Sequence, residues 1–106
     1  MPKYLIQAKY TADGVKGVLR EGGTGRLQAV ERMAASAGGR VDQMYFAFGE
    51  NDVYLIVDMP DNATSAAVSL NVSASGGVQT KTVVLMTPEE IDEAARKEVE
   101  YQTPGA

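Results

Sequence analysis

Residues 20–26 read Arg-Glu-Gly-Gly-Thr-Gly-Arg. Glycines leave backbone N–H groups open, Thr24 has the chemistry of a helix cap, and Arg20 and Arg26 flank the run. Such a segment can hold a phosphate or carboxylate at a helix N-terminus. The candidate binding residues are therefore Lys16, Arg20, Gly23, Thr24 and Arg26. The run lacks the Lys-Ser/Thr ending of a P-loop, and Gly23-Thr24-Gly25 is only a fragment of a dinucleotide fingerprint. A simple break in a helix has the same composition.

A second set could move protons. Tyr10, Tyr45, Tyr54, Asp58 and Lys81 lie on segments that read as strands. Projected into a cavity between sheet and helices, a Tyr or Lys acid and an Asp base could run an isomerisation or lactone chemistry. The plainer role for the tyrosines is amphipathic packing with the hydroxyl satisfied. Glu50, Asp52, Asp58 and Asp61, with Asn51 and Asn62, offer oxygen ligands but no EF-hand spacing, so no metal and no cofactor are expected. The chain has no Cys and no His. Disulfides, thiolate sites, histidine triads and most zinc or copper catalysis are thereby excluded.

The groups are carried on 106 residues, enough for one domain, with 44% apolar and 23% charged residues. The ordered part should run from about residue 3 to 100, with a short C-terminal tail. A pI near 4.7 argues against nucleic acid as a partner. No apolar run approaches the roughly 20 residues of a membrane span. The opening MPKYLIQAKY lacks a signal-peptide core, so a cytoplasmic location is expected. Charge is uneven. Residues 1–40 carry seven bases and three acids, whereas 41–106 carry three bases and eleven acids. That asymmetry fits an anion site, or complementary surfaces on identical subunits.

The elements follow from period and punctuation. Residues 3–11 alternate as a strand, with Tyr4, Ile6, Ala8 and Tyr10 on one face. Thr11 caps a helix with Val15, Val18 and Leu19 on one side, and Gly22-Gly23 interrupt it. Thr24 opens a further stretch to about Ala37, ended by Gly38-Gly39. Strands over 41–48 and 53–59 flank a turn at Gly49–Asp52 and form a hairpin. Asp61 caps a helix over 63–75, eight of whose thirteen residues are Ala or Ser. A strand follows at 78–86. Thr87-Pro88-Glu89-Glu90 then has the form of a capping box before a last helix to about Tyr101, with Ile91, Ala94, Ala95 and Val99 toward the core.

The order β-α-β-β-α-β plus a closing helix is the ferredoxin-like split βαβ arrangement, an α+β fold with strands one and three central. Its helices cover one sheet face only. Strands two, three and four carry apolar residues at both parities, so the other face looks apolar as well. Four strands of about 20 Å give a face of roughly 400 Å². That reaches the roughly 300–600 Å² found on soluble monomers. A second copy, face to face, is the expected cover.

The stretches YLIQAKYTADGVKGVLREGGTGR, FGENDVYLIVDMPD and VQTKTVVLMTPEE resemble the GYD domain family of small bacterial proteins, over about Lys3 to Val99. The matching turn here is Gly49-Glu50-Asn51-Asp52, with Asn51 where an aromatic is typical. The resemblance implies a dimeric α+β barrel of ferredoxin-like subunits. The functional expectation is a homo-oligomeric domain that binds a small anionic molecule. A cofactor-independent isomerase or monooxygenase, assigned by fold analogy, and a structural assembly unit are the alternatives.

Overall fold

The computed structural model describes residues 1–106. The elements are β1 Lys3–Tyr10, α1 Ala12–Ser36, β2 Arg40–Phe46, β3 Val53–Asp58, α2 Asn62–Ala74, β4 Val78–Leu85 and α3 Pro88–Arg96. The four strands form one antiparallel sheet in the order β2-β3-β1-β4. Strands one and three are central, and the fold is ferredoxin-like α+β. Three starts follow the capping chemistry of the sequence. The side chains of Thr11, Asp61 and Thr87 accept from the N–H groups of Gly14, Thr64 and Glu90, and Glu90 completes the box.

The core lies between the sheet and the two long helices. β1 contributes Tyr4, Ile6 and Ala8, and β3 contributes Val53, Leu55 and Val57. Val30 and Ala34 of α1 and Val68 of α2 cover them. Each such aliphatic side chain contributes about 1.5–3 kcal/mol by leaving water. The buried Tyr4 hydroxyl donates to Asn62 Oδ1 at 2.6 Å, which pins the start of α2 to β1.

Glycine permits one close approach that sets the shape of α1. A Cβ on Gly14 would lie 2.0 Å from the Gly77 carbonyl oxygen, so α1 starts hard against the entry to β4. Gly23 packs on the Phe46 ring at the end of β2. Nine helical residues span about 13.5 Å. Three strand spacings span about 14 Å. The first half of α1 thus bridges one end of the sheet, from β4 to β2. Gly22, with φ 75° and ψ 169°, then breaks the helix, and the second half descends over the sheet. The break is at Gly22 alone. Because the first half lies across the sheet end, Val15 and Leu19 stay outside the core and stand exposed.

The apolar residues of both parities divide between two faces. Met44, Phe46 and Val84 share the helix side with the register partners Leu55, Val53 and Tyr4. The open face holds rows that cross all four strands: Arg40, Asp58, Lys3 and Leu85, then Gln43, Ile56, Leu5 and Val83, then Tyr45, Tyr54, Gln7 and Lys81. It is an apolar band flanked by charge rather than uniformly apolar.

The last helix departs from expectation. It ends at Arg96 and buries none of its residues; Ile91 is 52% exposed and Val99 82%. Helical spacing shows which side is apolar, not what lies against it. The element extends away from the body. The radius of gyration is 16.9 Å, against about 13 Å for a compact chain of this size, and the long dimension is 56 Å. No helix is long and apolar enough to cross a membrane.

Candidate functional site

A cavity of about 40 Å³ lies between the sheet, α1 and α2. Ile6, Val30, Met33, Leu55 and Val72 are among its mostly apolar walls. Its polar groups are the Arg26 guanidinium, the Tyr10 phenol, Ser69 and Thr80. The volume exceeds that of a single water site. A crevice of about 140 Å³ adjoins it on the outside, between the first half of α1 and Ser75–Gly77. Tyr10, Arg26 and Val78 line both spaces.

The fold places each of these groups. Tyr10 ends β1, where its backbone N–H donates to Asp52 Oδ2 at 2.9 Å. Arg26 sits one turn past the Gly22 break, with about a quarter of its side chain exposed. Its nearest carboxylate is Glu21, at 4.0 Å, the outer limit of an ion pair, and Glu21 lines the outer crevice. Such a contact is weak. Burial raises the Tyr10 pKa above the ordinary phenol value, and the Arg26 charge beside it acts in the opposite sense. The phenol is therefore neutral at physiological pH and available to donate. No carboxylate lines the inner cavity, so it holds a cation and hydroxyls but no general base.

The other proton-transfer candidates stand on the opposite side of the sheet. Tyr45 and Tyr54 are direct cross-strand partners on the open face, and Asn51 Nδ2 donates to the Tyr54 hydroxyl at 3.3 Å. Lys81 is opposite Gln7 on the same face. Asp58 is buried beneath Lys3 and Arg40, which donate to its two oxygens at 3.0 Å each. The Lys3 bond, then the Arg40 bond, hold its carboxyl below the usual range against the opposing effect of burial. A carboxylate so occupied anchors strand ends and is a poor base. The expected gathering of Tyr45, Tyr54, Asp58 and Lys81 around the cavity does not occur, because each faces away from the helices.

The glycine-segment candidates divide too. Lys16, Arg20 and Thr24 are exposed, and Gly23 lies against Phe46. Of the ten candidates, Tyr10 and Arg26 meet at one cavity. Ser69 and Thr80 were not anticipated. The available signal was the four-residue spacing of Ser65, Ser69 and Ser73, which turns one hydroxyl side of α2 toward β4. Ser69 Oγ and Thr82 Oγ1 are 3.0 Å apart there.

The family model described as GYD domain matches residues 4–95. No curated protein and no solved structure gives a match.

Proposed function

This chain belongs to the GYD domain family, and from that premise we propose that it is a homo-oligomeric domain that binds a small carboxylate. The hydrocarbon end of the ligand occupies the cavity behind Tyr10. Its carboxylate lies in the outer crevice against Arg26, displacing Glu21, with the Tyr10 hydroxyl donating to it. The single observation that carries this reading is a guanidinium in the wall of an apolar cavity whose carboxylate partner, Glu21, stands only at the 4.0 Å outer limit of an ion pair. Sites of this kind combine apolar walls with a few polar groups that fix orientation. Catalysis is the weaker reading, because Tyr10 supplies an acid and the inner cavity no base.

A second copy covers the open face. The row Ile56, Leu5 and Val83 gives the apolar contact, and Tyr45, 66% exposed, extends it. A two-fold arrangement of equal faces closes without leaving edges.

The test is calorimetric titration of isobutyrate into the wild type and Arg26→Gln, with isobutyramide as the neutral isostere. Binding of isobutyrate alone, lost in Arg26→Gln, supports the site. Equal heats for acid and amide, or an unchanged response in the variant, overturn it.

A further inference from the structure

The arm that begins at Thr87 has no contact to explain its chemistry. It carries six acids and two bases, so the whole net charge of −4 resides in residues 87–106 and residues 1–86 are neutral. Helical spacing sets Ile91, Ala94 and Ala95 on one side of α3, with Glu90 and Asp92 at its borders and Glu93 beyond. That side is uncovered. A helix of nine residues is marginal in water even with good caps, so tertiary packing must hold it.

The body carries a surface of opposite character. Along the first half of α1, Val15, Lys16, Leu19 and Arg20 form one exposed stripe, with Leu19 79% exposed. Asp13, in the first turn, is the acid beside it. An acidic-apolar helix and a basic-apolar helix are each left unpartnered in the same molecule.

The two cannot meet within one chain. β4 runs from Val78, paired with Tyr10, to Leu85, paired with Lys3. Its seven steps cover about 23 Å. The α1 stripe lies at the Tyr10 end, whereas α3 leaves the Lys3 end after two residues. We propose that α3 docks on the α1 stripe of a second copy, Ile91 against Val15 and Leu19, with the border residue Asp92 toward Lys16 and Arg20. Two copies related by a two-fold axis across the strands bring unlike sheet ends together, so the exchange is reciprocal and closed. This inference rests on the oligomeric part of the proposed reading and adds the arm to it.

The chain has no cysteine, so a designed pair reports contact without background. Leu19→Cys with Ile91→Cys should oxidise to a covalent dimer, and Leu70→Cys with Ile91→Cys should not. Val15→Cys with Ile91→Cys provides a second register. Arg20→Glu or Asp92→Arg alone should weaken association about tenfold. The two together should restore it. A dimeric mass by sedimentation with no cross-link in either register overturns the arm docking and leaves the face-to-face dimer standing. A cross-link within one chain overturns the exchange. A monomeric mass overturns both.

Discussion

Arg26 and Tyr10, sixteen residues apart in the chain, close the same apolar cavity from two elements, and the charge of one counteracts the burial of the other. The pairing depends on Gly22. A straight α1 would continue across the sheet end, and Arg26 would not turn inward over β1.

Glu21 is the natural competitor for Arg26. At 4.0 Å it contributes little to stability. Glu21→Gln should therefore leave thermal stability almost unchanged while tightening isobutyrate severalfold, as calorimetry would register. Weaker binding in this variant would contradict a carboxylate lying in the outer crevice.

Asp58 ties the ends of β1, β2 and β3 through Lys3 and Arg40. Asp58→Asn removes the negative charge and one of the two acceptor oxygens, and should cost about 2 kcal/mol in urea unfolding. The pH dependence follows from the signs. The Asp58 pKa is lowered in the fold, so its contribution is complete above the ordinary carboxylate range and is lost as pH falls through the folded value. The Lys3 pKa is raised, chiefly by its bond to Asp58, so its contribution holds below about 10.5 and is lost as pH rises through the folded value. The difference between wild type and Asp58→Asn should be flat at neutral pH and vanish in acid.

Two glycines of α1 should respond in opposite directions. Gly17 has nothing within 4 Å of an added Cβ, so Gly17→Ala should stabilise by about 0.5–1 kcal/mol through helix propensity. Gly14→Ala forces a Cβ onto the Gly77 carbonyl and should destabilise, since backbone must move. Similar melting temperatures for the two variants would contradict the close seating of α1 on β4.

Charge placed in the apolar row of the open face should separate the copies. Leu5→Lys with Val83→Lys is expected to shift the sedimenting species to the 11.3 kDa chain. These positions are not fully buried in the single chain, so helix content by circular dichroism should persist. An unchanged larger mass would place the interface elsewhere.

The sequence made the sheet legible through period and caps. Thr11, Asp61 and Thr87 act locally, and the apolar run Val53–Val57 identifies a central strand. The site was legible only in part. Parity placed Tyr10 with Tyr4, Ile6 and Ala8 on the inner face, but the face of Tyr45, Tyr54 and Lys81 depends on register across strands. The irregularity between Val41 and Gln43 also resets one edge of that register. Arg26 was visible as a charge beside glycines, yet its direction depends on a single φ at Gly22. Val15 and Leu19 share one side by helical spacing; that pattern cannot show that the helix crosses a sheet end instead of its face.

Methyl-resolved NMR tests the central claim most directly. The Val30, Leu55 and Val72 methyls line the cavity. Roughly millimolar isobutyrate should shift them saturably in the wild type, with the shifts absent for isobutyramide and for Arg26→Gln. Methyls that ignore isobutyrate, or respond equally to acid and amide, would contradict a carboxylate site behind Tyr10 and Arg26.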